Sequence, residues 1–193
     1  MTVYKVIAEK SFDGIASINN IKGFVPGLHS ATCRLSEILR RAGISHAIVG
    51  GVAVSCHGYE RVTSNLDAAV GKGAFESSDG ATYLRHGLPI NVSGIPIHYV
   101  HPTSAFEQAM LDQYMIIPAP GQVPIVPIGP LFVLKMIVHR LKDMADLAEL
   151  VKRNTHQIAM IRSFVYENLP SQKHQFDDLV ACAESEMANQ GSV

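Results

Sequence analysis

The chain has 193 residues, 47% hydrophobic and 17% charged, which excludes a disordered chain and suits one domain, or one domain with a small appendage. Sixteen Lys+Arg against seventeen Asp+Glu leave a net charge of −1, so no global field draws nucleic acid or an anionic membrane. Cys33, Cys56 and Cys182 match no CxxC or zinc spacing and read as free thiols in a reducing, cytoplasmic setting.

Residues 1–30 read as an N-terminal extension, with Val3 to Ala8 as a short strand. No basic segment followed by an apolar one opens the chain, so no signal peptide is expected. Ser30 or Thr32 caps a predicted helix to about Ala42, with Leu35, Ile38 and Leu39 on one face and Gly43 ending it. Ile44 to Val49 is a buried strand, Val52 to His57 a short helix, and Leu66 to Val70 a second strand. The Gly- and Ser-rich stretch 71–94 reads as loop with one helical turn near Ala81 to His86. Ile95 to Val100 is a third strand, which Pro96 places at a sheet edge or strand start. Thr103 caps a helix to about Gln113, with Phe106, Met110 and Leu111 facing inward. Met115 to Ile117 and Gln122 to Val126 read as two short strands about a Pro-Ala-Pro-Gly turn. Pro130 then opens a helix over Leu131 to about His139, and further helices follow over 142–153, 155–168 and 175–188. The apolar run from Val123 to Val138 is interrupted by Pro124, Pro127, Pro130 and Lys135, so no membrane span is expected. The order predicts an α/β (α+β) fold, with a small mixed sheet flanked by helices and a helical C-terminal part.

The stretch that carries chemistry runs from Ile48 to Asp67. Gly50-Gly51 lets backbone approach a phosphate, and the helix start behind it adds amide donors. Asn65 and Asp67 stand two apart on a strand and point the same way, as a pair clamping a metal must. Arg61 suits a phosphate or an acidic side chain.

This run resembles the nucleotidyltransferase superfamily of polymerase-beta-like fold, and within it the minimal and abortive-infection-type bacterial members. Their pattern reads Gly-Gly, small apolar helix, Gly, x, x, Arg, x, Thr, x, Asp, x, Asp, and Gly50, Gly51, Gly58, Arg61, Thr63 and Asp67 match it. Phe106-Glu107-Gln108-Ala109, Val123 to Val126, Leu134-Lys135 and the run Arg140 to Leu147 extend the likeness over about residues 35–152. The resemblance implies a nucleotidyltransferase-like domain over 31–153, with C-terminal helices over 154–193 packed on it. It implies Gly50 and Gly51 cradling a triphosphate, Arg61, Thr63 and Lys135 as nucleotide-binding residues, and Mg²⁺ or Mn²⁺ with a nucleoside triphosphate as cofactors. Read bottom-up, Lys135 also fits a packed stem with a snorkelling amine, and Asp143 and Asp146 fit a helix charge pair with Arg140 or Lys142, the alternative being that one of them orients Lys135 or the acceptor substrate.

Two departures bear on activity. The first Asp of Asp-x-Asp is Asn65, and the third acidic position falls at Ile97-His98-Tyr99. Two-metal transfer needs anionic oxygens around ions roughly 3.5–4 Å apart, whereas Asn offers a neutral oxygen and His a nitrogen that Mg²⁺ disfavours. With Asp67 the one remaining carboxylate, Mg²⁺-dependent catalysis is expected to be weak or absent. Asn65, Asp67 and His98 still offer one metal site, tilted toward Mn²⁺ or Zn²⁺. The expectation is a nucleotide- or phosphate-binding cleft with reduced or lost transferase activity. One alternative is an active enzyme moving a nucleoside monophosphate to a small molecule, protein or RNA through Asp67 and Asn65. The other is a non-catalytic scaffold. The acceptor and any protein partner stay open.

Overall fold

The computed structural model describes residues 27–100 and 105–190, with Ala105, Met110 and Gln190 as backbone alone. The expected strand over 3–8 and the Thr103 cap lie outside the described residues. Contacts divide the chain into two compact units. One is the described part of Met1–Cys56 with Glu60–Pro127; the other is His57–Tyr59 with the described part of Ile128–Val193. Residues 128–153 therefore group with the helices after 154. No helix among the described residues is long and apolar enough to cross a membrane.

The first unit opens with α1 (Leu28–Arg41), whose Leu28, Ala31, Leu35 and Leu39 recur at helical spacing and are buried. Neither Ser30 nor Thr32 caps it. The N-cap is Gly27 at φ +86°, three residues before Ser30, which buries Leu28 and leaves the Thr32 hydroxyl inside the helix, donating to Leu28 O at 2.8 Å.

Six strands form among the described residues: β1 (His46–Val49), β2 (Leu66–Val70), β3 (Phe75–Ser78), β4 (Ala81–Leu84), β5 (Asn91–Val92) and β6 (Ile95–Val100). The short helix α2 (Gly50–Cys56) follows β1 directly. The main sheet has the order β1-β2-β6-β5. β1 runs antiparallel to β2 with Val49 opposite Asp67, and β2 runs parallel to β6 with Asp67 opposite His98. Every β1 residue is buried, as are four of the five in β2, which is why both read as apolar runs rather than alternations.

The segment 71–94 is not the loop expected, nor does it hold a helical turn at 81–86. After a single 3-10 turn at Lys72–Ala74, β3 and β4 pair as a hairpin closed by Asp79 (φ +52°) and Gly80 (φ +78°). Ser93 (φ +54°) and Gly94 (φ +83°) close the β5–β6 hairpin in the same manner. Two successive positive-φ residues make the turn that matches strand twist. A hairpin thus stands in the parallel β2–β6 connection, where a helix usually crosses. Pro96 is the second residue of β6, at the strand start, but β6 is not an edge, since β5 pairs beyond it.

In α3 (Ala105–Asp112) Leu111 is buried, whereas Phe106 is exposed rather than inward. The expected strands at 115–117 and 122–126 shrink to single bridges on β1, at His46–Ile116 and Ile48–Ile125. Pro118, Pro120, Pro124 and Pro127 carry no N–H, so no longer ladder can form there. His46 is fully buried, its Nε2 2.8 Å from Ser36 Oγ and its Nδ1 3.1 Å from Ile44 O.

The second unit is helical: α4 (Ile128–Val138), α5 (Leu141–Arg153), α6 (Ile158–Asn168) and α7 (Lys173–Gln190). α4 begins three residues before the expected start, with Pro130 in the first turn, where a missing N–H costs nothing. A Cβ on Gly129 would lie 3.1 Å from the Phe164 ring, so α4 and α6 pack closely at that point. Phe132 meets Phe176 edge-on, ring centroids 6.0 Å apart. The segment His57–Tyr59 is held by the end of α5: Asn154 Nδ2 donates to His57 O at 2.9 Å, and the Arg153 guanidinium lies 5.0 Å from the Tyr59 ring centroid. The whole is a mixed α/β fold with a small mixed sheet and a helical C-terminal part, as its sequence order predicts.

Candidate functional site

Gly50 leaves β1 and opens α2 at φ +63°, a conformation that favours glycine. A Cβ there would lie 2.0 Å from Asp67 Oδ2, so the Asp67 carboxylate lies against the bare Gly50 backbone. The antiparallel register explains this, because Asp67 stands opposite Val49, the residue before Gly50. A Cβ on Gly51 would lie 2.7 Å from Thr63 Oγ1 and 3.1 Å from Arg61 Nη2. Thr63 is buried, and its hydroxyl donates to Asn65 O at 3.3 Å.

Asn65 comes just before β2 on the same side as Asp67, and the parallel register sets His98 beside Asp67. Asn65 Nδ2 donates to Asp67 Oδ1 at 2.6 Å and lies 3.2 Å from His98 Nδ1. His98 Nδ1 is 3.3 Å from Asp67 Oδ1. Asp67 is largely covered, while the His98 side chain is 66% exposed. The sequence-predicted residues Gly50, Gly51, Arg61, Thr63, Asn65, Asp67 and His98 are therefore joined by these contacts within one unit. What the sequence reading did not give is the direction of the Asn65 amide, whose NH₂ is placed between two acceptors.

As arranged, this donor set does not suit a pair of divalent ions. It holds one carboxylate, one imidazole nitrogen already facing an amide, and an Asn65 amide that turns its NH₂ toward the carboxylate. Among the described residues no group of three or more His, Cys, Asp or Glu side chains could hold a metal ion.

Lys135 lies in the other unit, and its Nζ contacts Asp143 Oδ1 at 2.8 Å and Asp146 Oδ2 at 2.6 Å, all three side chains being buried. Arg140 Nε donates to Asp143 Oδ2 at 2.6 Å, the charge pair read from the sequence. Burial works to raise the Asp143 carboxyl, but hydrogen bonds from Arg140 and Lys135 outweigh it and hold it below the usual range. All three cysteines are free, and burial pushes the Cys56 thiol up to about 12, so it is an inert thiol at the end of α2.

No protein-family model matches the chain, and no curated protein matches its sequence.

Proposed function

We propose that the chain binds the phosphates of a nucleotide at Gly50, Gly51, Arg61, Thr63 and the Asn65–Asp67–His98 cluster, as a protein of nucleotidyltransferase type with weak or lost metal-dependent transfer. The observation that carries this reading is the convergence of Asn65, Asp67 and His98 beside Gly50, a glycine whose missing side chain leaves room for the Asp67 carboxylate. The motif order that resembles nucleotidyltransferases supplies the ligand class. The neutral Asn65 and the imidazole of His98, where that pattern has carboxylates, supply the loss of metal-driven chemistry. Lys135 enters only through the resemblance, since its amine is engaged by Asp143 and Asp146.

Thermal melting with ATP, GTP, CTP and UTP, each with Mg²⁺ or Mn²⁺, tests the reading. A bound nucleotide at a hundredfold its Kd raises the melting temperature by about 5–10 °C. The absence of a rise with every pair sinks the proposal. Labelled-nucleotide transfer with Mn²⁺ is expected to match an Asp67→Ala control, and transfer well above that control establishes the active enzyme instead.

A further inference from the structure

Asp67 decides which way the Asn65 amide faces. An ionised carboxylate oxygen only accepts, and at 2.6 Å it must meet the NH₂ rather than the amide oxygen. That NH₂ has a second hydrogen, and Nδ2 lies 3.2 Å from His98 Nδ1. A ring nitrogen that receives a hydrogen is the lone-pair nitrogen, so the neutral His98 ring carries its proton on Nε2. The rival arrangement, Nδ1–H directed at Asp67 Oδ1, would span 3.3 Å, longer than the Asn65 bond to the same oxygen. It would also set an N–H against the Asn65 NH₂. Among the described residues, Nε2 has no hydrogen-bond partner, and the side chain is open to a ligand.

We propose that Asn65 is a positioning residue that locks His98 as an Nε2–H donor, and that this N–H binds an anionic phosphate oxygen without a divalent ion. The choice of phosphate rests on the nucleotide reading above; the tautomer rests on the hydrogen bonds alone. Chemically, the exchange is of charge type. A third carboxylate would repel a polyphosphate unless a metal stood between them, whereas an N–H meets the phosphate oxygen directly.

Two-bond ¹H–¹⁵N correlation on the full ¹⁵N-labelled chain, at a pH where the imidazole is neutral, reads the tautomer. His98→Gln assigns the signal. The expected result is a protonated Nε2 and a bare Nδ1, and a ring protonated on Nδ1 overturns the proposal. Asn65→Asp has no N–H to give, so the proton is expected to move to Nδ1. An unchanged tautomer in that variant overturns the positioning role. Inorganic triphosphate in EDTA is expected to shift the His98 Nε2 signal, and an unmoved signal overturns the donor role. If ATP stabilises the chain while His98 stays unmoved, the nucleotide reading survives and the donor role falls. If triphosphate moves His98 while no nucleotide stabilises the chain, the donor role stands and the nucleotide reading falls.

Discussion

A methyl group at Gly50 would have to displace the Asp67 carboxylate, because its carbon would lie 2.0 Å from Oδ2 on a backbone at φ +63°. Gly50→Ala is therefore expected to cost about 1–3 kcal/mol in backbone strain alone, and to abolish any nucleotide-induced rise in melting temperature. Gly43→Ala is the matched control: its φ is +69°, and nothing lies within 4 Å of its Cβ, so it carries the strain without the collision. Urea unfolding of both variants separates the two effects. Elsewhere in the same unit, His46 gives a pH signature. Burial pushes its pKa below the ordinary value, and the Ile44 carbonyl pulls it back by less. The unfolded chain thus takes up this proton first, near pH 6.5. The contribution to stability is full above that pH and is lost as pH falls through the depressed folded value, at up to about 1.4 kcal/mol per pH unit. Urea titrations between pH 5 and 8 are expected to reveal this slope in the native chain and a smaller one in His46→Gln. Gly50, Gly51, Arg61, Thr63 and Asp67 were legible together because their order resembles the nucleotidyltransferase pattern. The direction of the Asn65 amide was not, because it depends on two acceptors, one of them thirty-three residues away.

Among the elements, β1 and β2 were legible because burial calls for mostly apolar residues along them, and β6 because buried Ile95 and Ile97 alternate with exposed Pro96 and His98. β2 and β6 have the limits expected from the sequence, and β1 is shorter by two residues at its start. The β3–β4 hairpin was not legible, because most of its residues are exposed and it has no buried face to impose alternation. Its one local signal is Asp79-Gly80, a dipeptide suited to a two-residue turn, with Ser93-Gly94 repeating it before β6. A hairpin with so little buried apolar surface opens locally at low cost. Native-state hydrogen exchange is expected to release the β3–β4 amides well before those of β1 and β2. Equal protection would mean that the hairpin is held by contacts beyond its own strands. The interrupted strands at 115–117 and 122–126 teach the converse lesson. Each reaches β1, but proline limits it to one bridge; Met115, Val123, Ile125 and Val126 are buried, whereas Ile116 and Ile117 are exposed.

On the scale of the molecule, sparse surface charge coexists with a buried ionic knot. Lys135, Asp143 and Asp146 are all under 8% exposed, so removing the cation takes an ion-pair partner from two carboxylates held away from water, although Arg140 still donates to Asp143. Lys135→Ala is expected to destabilise the chain by about 3–5 kcal/mol, as breaking a buried pair does. Chemical denaturation measures the loss, and a change below about 1 kcal/mol would show that water replaces the amine. The ordered helices of this unit were legible from periodicity, but the knot only in part: an acidic residue orienting Lys135 was one reading, whereas its burial with both carboxylates was not legible, since the same residues also suit an exposed charge pair. The grip of Asn154 and Arg153 on His57–Tyr59 has a further consequence for how the gene can be divided. A fragment starting at Ile128 would carry every helix from α4 to α7 yet lack the three residues that α5 grips from far upstream. No single breakpoint yields two self-sufficient cassettes. Recombination or truncation at residue 127 would leave the helical piece without a strand of chain that it can recover only by being supplied with it in trans.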